Sequence, residues 1–281
     1  MPPERWEAGR VVLWAGCGLI LFYLVLPILI IIPTSFNASP YMDFPPRTWS
    51  LQWYRNFFGS RAWLEPLWLS LRVALVTMAL ATGLGSLAAF GLVRGTFRGR
   101  RALEYFLLSP MVVPVIVFAI GLYFLFSKVH LVGKPMGLYL GHTVIATPLV
   151  VVIVSSALRA YDRSIEQAAR SLGAGYFRAV WHVTLPLIRP AILSAAAFAF
   201  LASFDEVIVA IFLGGPGATT LPKRMWDNVR HEIDPTLTAV STVLVLGSVL
   251  LLGGVEIIRR SAEQTRERGG VFTPEAAGVG K

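Results

Sequence analysis

The chain has 281 residues, 55% of them hydrophobic and only 15% charged, with a mean hydropathy of +0.65. That leaves too little polar surface for a soluble domain of this length. A formal net charge of +9 does not signal nucleic acid, because the Lys and Arg residues lie in short loops between apolar runs and form no stripe interleaved with aromatics.

Residues 1–10 carry Arg5 and Arg10 and lead into the apolar run 11–33. A signal-peptide core of about 7–15 residues would be shorter and would end in a small-x-small site, so this run reads as a retained first membrane helix. Cys17, the only cysteine, lies inside it, which excludes an internal disulfide and a Cys-based metal site. Five further apolar segments follow, at 67–93, 103–126, 136–158, 191–213 and 236–258. Each is long enough to cross a hydrocarbon core of about 30 Å at roughly 1.5 Å per residue. The expected fold is therefore an all-α integral membrane domain of six transmembrane helices over residues 1–258, in contact with membrane lipid, with a tail at 259–281. That tail is expected to extend the sixth helix by a turn or two and then to be disordered.

The first loop, residues 34–66, holds Trp49, Trp53, Tyr54, Phe57 and Phe58, a composition that suits a short interfacial helix. In the second span Thr77, Ala81, Gly85 and Ala89 recur every four residues, a stripe that lets two helix backbones approach closely. Pro27, Pro110, Pro114 and Pro148 lie within spans and permit kinks. Sixteen Lys and Arg residues fall in the two termini and the loops 94–102 and 159–190, against eight in the alternate loops, which puts both termini and loop 159–190 on the cytoplasmic side.

Loop 159–190 is too elaborate for a plain connector. Tyr161-Asp162-Arg163-Ser164 offers a capped helix start, and Glu166, Ala168, Ala169 and Leu172 continue a short helix that Gly173 ends. Residues 176–183 can add a second turn or two with aromatic anchors, and Pro186 and Pro190 are expected to stop it before the fifth span. Such a segment suits docking on another protein. The fifth span carries Asp205 and Glu206, adjacent acids that a continuous helix from residue 191 would place roughly 21 Å along its axis. A carboxylate there needs water, a counter-ion or a cationic substrate. The residues alone leave open a substrate-facing role or a structural ion pair.

Catalytic signatures are absent: there is no G-x-x-x-x-G-K-[ST] loop, no H-E-x-x-H and no G-x-S-x-G, and the four histidines, His130, His142, His182 and His231, are scattered. Neither an enzymatic activity nor a cofactor or metal is expected of this chain.

The run Glu166-x-Ala168-Ala169, with Gly173 and Leu185-Pro186, resembles the cytoplasmic EAA loop of permease subunits in binding-protein-dependent ABC importers, with Gln167 in place of the commonest alanine. The resemblance implies a type I importer arrangement in the bacterial inner membrane, with a coupling helix formed by Glu166, Ala168, Ala169, Leu172, Gly173, Ala174, Leu185 and Pro186. It further implies separate ATPase subunits, a homologous permease as heterodimer partner and a periplasmic or extracellular solute-binding protein. Ser203-Phe204-Asp205-Glu206-Val207, followed by Gly214-Gly215-Pro216 and Leu221-Pro222, is similar to the second permease of spermidine/putrescine-type systems, where two Asp are usual. That likeness implies a polyamine path at Phe204, Asp205 and Glu206. Related permeases move opines, aminobutyrate-like compounds, phosphonates or iron. A secondary transporter is the rival class, disfavoured by the scarcity of intramembrane acids and the lack of a visible inverted repeat.

Overall fold

The structure, a computed structural model, describes residues 4–41, 43–231 and 234–269. Among them the only β pairing is an isolated bridge between Asn37 and Trp49. The helices are α1 (Glu4–Thr34), α2 (Gln52–Gly59), α3 (Arg61–Arg94), α4 (Arg100–Val112), α5 (Val115–Lys128), α6 (Pro135–Ala160) and α7 (Arg163–Ser171). There follow α8 (Tyr176–Ala179), a π turn (Val180–Thr184), α9 (Leu185–Phe204), α10 (Ile208–Leu213), α11 (Leu221–His231) and α12 (Thr236–Gly269). Five stretches are long and apolar enough to cross a membrane, in α1, α3, α6, the run Tyr176–Phe204 and α12, and α4 with α5 make a sixth if that bent pair is one span. The expectation of disorder past residue 269 falls outside the described residues.

The chain divides into two compact units. The first joins Met1–Leu64 to Asp227–Ser248. In it the aromatic loop is tied down: Trp53 Nε1 donates to Asn37 O at 2.7 Å, the Ser35 and Tyr54 hydroxyls lie 2.7 Å apart, and Phe36 packs on Tyr54. The short helix expected in this loop is α2, and its Asn56 Nδ2 donates to Thr236 Oγ1 at 2.8 Å. In α1, large apolar side chains from Val11 to Leu26 are exposed all round, as suits a helix whose surroundings are lipid or another protein.

The second unit, Glu65–Trp226 with Val249–Lys281, holds the main core. The small-residue stripe works as expected: Thr77, Ala81 and Ala89 are buried, and a Cβ on Gly85 would lie 2.8 Å from Val150 of α6. Ala81, Ala89, Ala146, Val150, Val154, Leu158, Ile188, Ala195 and Ala199 form one cluster, so α3, α6 and α9 share a closely packed centre. Leu122 and Phe126 of α5 join Leu138 of α6 and Val209 and Leu213 of α10 in a second cluster.

Three expectations about continuity are corrected. The segment 103–126 is not a continuous helix but two helices bent by 106° at Val113-Pro114, a broken span or a re-entrant pair, where Val113 is pushed into extended backbone by the following proline. The segment 191–213 is broken as well: α9 runs unbroken through residue 191 to Phe204 and α10 starts at Ile208, so Asp205 lies as far along the helix as expected but at its end. Pro186 and Pro190 do not stop the preceding helix. The run from Tyr176 reaches Phe204 because a π turn intervenes, closed by Leu185 N–H on Val180 O, and Pro186 falls at the start of α9 where its missing N–H costs little.

Candidate functional site

The polar loop builds itself from local rules. Asp162 accepts from Ser164 N at 2.9 Å and from Ser164 Oγ at 2.7 Å, capping α7. Those hydrogen bonds, the backbone one first, hold the Asp162 carboxyl below its ordinary range. At the other end Gly173 N–H bonds to Arg170 O and Ala174 N–H to Ala169 O, the paired pattern of a Schellman stop, with Gly173 at φ +94°. Only glycine enters that left-handed conformation without a steric penalty.

Glu166 does not face outward. It is 2% exposed, its Oε2 lies 3.3 Å from Arg94 Nη2 at the end of α3, and it accepts from Thr184 Oγ1 at 3.0 Å. The Arg94 guanidinium also lies 5.8 Å from the centre of the Tyr161 ring. Burial, and next the nearby Glu166 carboxylate, push the Tyr161 phenol above its usual range. The loop is thus latched to α3 through a buried ion pair whose two halves are 72 positions apart in the chain. The latch takes the Glu166 carboxylate inside, while Leu172 is 90%, Phe177 85% and Trp181 68% exposed beside the exposed Asp162, Arg163, Arg170 and Arg178. Ala168, Gly173 and Pro186 are exposed, whereas Ala169, Ala174 and Leu185 are half-buried.

The break between α9 and α10 separates the two acids that the sequence places side by side. Glu206 Oε1 accepts from Ile208 N at 2.7 Å and Val209 N at 3.1 Å, closing the first turn of α10. Asp205 is exposed, and its side chain has no hydrogen bond or ion pair among the described residues. Phe204 stacks on Phe200 with ring centres 5.6 Å apart, beside the break.

Sequence reasoning missed His142. It is 1% exposed on α6, and its Nδ1 lies 3.1 Å from Ser203 O and 3.0 Å from Ser203 Oγ, one residue before Phe204. Counting it among scattered histidines overlooked where it stands, because an imidazole inside an apolar span must find a partner. Arg94 was missed as well, having been counted only as a loop charge.

A chain with several membrane-length helices, a latched polar loop that exposes large apolar side chains, and a broken helix bearing an open carboxylate has the parts of a transport pathway driven from outside the chain. Residues 81–264 match the model of the binding-protein-dependent transport system inner membrane component family, and the chain belongs to it. It is 36% identical over 254 residues to the putrescine transport system permease protein PotI of Escherichia coli K12, covering 88% of this chain and 90% of PotI. It is 32% identical over 255 residues to the spermidine/putrescine transport system permease protein PotC of the same strain, covering 90% and 95%. Among solved structures, a bacterial ABC transporter involved in import of the acidic polysaccharide alginate matches in fold with a TM-score of 0.67 at 15% identity, over 97% of this chain and 99% of that one. The chain is a permease component of an ABC importer and not an enzyme.

Proposed function

We propose that this permease carries small polycationic amines of the putrescine and spermidine type across the inner membrane, as one half of a heterodimer. A soluble binding protein delivers the amine on the outer side, separate ATPase subunits dock at α7, and both chain termini face the cytoplasm. The observation that carries the reading is Asp205, an open carboxylate at a break in an otherwise apolar helix. An ammonium group is its natural complement, and a charge-assisted hydrogen bond there offsets the cost of leaving water. The 36% identity to a putrescine permease supports the substrate class.

At the cytoplasmic loop the reading assigns docking to the α7 region, with Leu172, Phe177 and Trp181 as the apolar side chains that a groove on the ATPase would cover. Ala168, Ala169, Gly173 and Ala174 shape the turn. Glu166, with Leu185 and Pro186 at the far end of the loop, carries the movement into α3 and α9. ATP-driven closure would then displace α7, and the Arg94–Glu166 latch would pass the displacement to α3.

The test is uptake of labelled putrescine and spermidine by cells with this gene deleted or restored, the remaining subunits being present. Loss on deletion and recovery on restoration, with no competition from aminobutyrate, ornithine, phosphonate or ferric iron, is the expected result. Unchanged polyamine uptake would remove the substrate and send the search to the binding protein.

A further inference from the structure

The backbone between α9 and α10 has to be held open, because nothing in the apolar sequence on either side demands a break there. Two neighbours on α6 hold it. Gly141 takes the segment after the break: a Cβ at this position would lie 2.7 Å from Leu213 Cδ1 and 3.2 Å from Val209 Cγ1, so α10 rests directly on the α6 backbone. His142 takes the segment before it, through Nδ1 on the Ser203 carbonyl and hydroxyl.

The last four carbonyls of a helix lack partners within it, and Ser203 O, in that set in α9, receives only a long backbone bond from Glu206 N–H at 3.4 Å besides His142. A carbonyl oxygen only accepts, so Nδ1 carries the proton and donates. Nε2 is then a bare acceptor, buried and without a hydrogen-bond partner among the described residues. An imidazole kept in that condition is expensive, and a leucine would fill the space at less cost in an apolar core. The hydrogen bond to Ser203 gives the imidazole its use.

We infer that His142 is a positioning residue for the transport path: with Gly141 it fixes the α9–α10 break, and the break is what presents Asp205. The inference rests on reading Asp205 as facing the path. Asp205 follows Ser203 by two residues, so its direction is set by how the last turn of α9 ends. Asp205 already closes α9, its N–H on Leu201 O at 3.0 Å, so releasing Ser203 lets the helix run on past it, lays Ile208 and Val209 three and four positions on over the carboxylate, and frees Glu206 from its two backbone donors.

The experiment uses the full transporter in membrane vesicles. Cys17→Ser removes this chain's native thiol, Asp205→Cys installs a single one in it, and the labelling rate of this chain, separated from the other subunits after reaction with a cationic thiol reagent, is followed in backgrounds His142→Leu, His142→Asn, His142→Gln and Ser203→Ala. Asparagine can place an amide donor where Nδ1 was, whereas glutamine places its amide nearer Nε2. The expected result is a drop of about fivefold or more in labelling rate for the leucine and glutamine variants, the size of one lost hydrogen bond. The asparagine variant should stay within about twofold of the His142 parent, and Ser203→Ala, which keeps the carbonyl, should do the same.

Equal rates across the series would overturn the inference, as would rescue by glutamine and not asparagine. An unreactive thiol in the parent would overturn it too, since position 205 would then not be presented to the aqueous path. If the leucine variant fails to assemble with the other subunits, the asparagine–glutamine contrast decides. Loss of labelling in His142→Leu together with unaltered polyamine uptake in Asp205→Asn would keep the positioning role and remove the proposed function.

Discussion

The loop around α7 and the α9–α10 break dispose of their carboxylates in different ways. In the loop the acid is withdrawn: Glu166 is buried against Arg94 and Thr184, and Leu172, Phe177 and Trp181 stand exposed among the arginines Arg163, Arg170 and Arg178. At the break one acid is withdrawn and one is left out: Glu206 closes α10, and Asp205 stays open. A docking surface gains from apolar area beside an acid already neutralised, because desolvating a free carboxylate on association is costly. A path for a cation gains from a carboxylate that nothing in the chain neutralises. The same residue type therefore has a structural duty in one region and an open valence in the other, and the backbone decides which.

The largest expected effect lies in the loop. Replacing Glu166 by Lys, or Arg94 by Glu, leaves a buried charge without its partner and should cost about 3–5 kcal/mol. Thermal unfolding of the detergent-solubilised complex and co-purification of the ATPase subunit would both report it. Exchanging the two charges, Arg94→Glu with Glu166→Arg, should recover a substantial part of the loss. A swap that behaves as the sum of its single changes would mean that Glu166 acts on something other than Arg94.

At the break, Asp205→Asn should raise the KM for putrescine by roughly tenfold or more, the value of one hydrogen bond to a charged group at about 1.5–3 kcal/mol. The chain's own fold should be unaffected, because no hydrogen bond or ion pair among the described residues depends on this side chain. A stability loss with unaltered KM would reassign Asp205 to an ion pair with a partner subunit. Back in the loop, Gly173→Ala should cost about 1–2 kcal/mol at the left-handed position, weakening ATPase docking while leaving the bundle intact. A larger loss spread over the whole complex would mean that the turn supports more than α7.

The cap at Asp162, the stop at Gly173, and the stripe from Thr77 to Ala89 were all legible in the sequence, because each depends on residues within a turn or two of one another or on a simple repeat. What was not legible depends on distant partners or on competing local rules. Nothing near Glu166 points to Arg94, since the pair forms only when α3 and α7 are packed. The fifth span reads as continuous because Val207, Ile208 and Val209 are apolar, and the break is made by Gly141 and His142 on another helix. Pro186 reads as a stop, since local rules see the missing N–H and do not see the π turn that accommodates it. His142 itself was visible, and the cost of an imidazole in an apolar span was the signal to follow.

The smallest effect sharpens the comparison most. Glu206 Oε1 receives two backbone N–H groups, at 2.7 and 3.1 Å, so its task is that of an acceptor. Glutamine keeps an acceptor at the same reach and gives up only the charge beside the start of a short helix, about 0.3–1 kcal/mol. Glu206→Gln should then transport putrescine with a KM within about twofold to fivefold of the parent, well short of the change in Asp205→Asn. Glu206→Ala removes the acceptor, exposes two N–H groups, and should fall between them at about 0.5–2 kcal/mol. If Glu206→Gln instead loses as much as Asp205→Asn, both carboxylates bind the amine and the cap is incidental. If glutamine is silent and alanine is not, geometry alone explains Glu206, and the charge that meets the substrate at this break is that of Asp205.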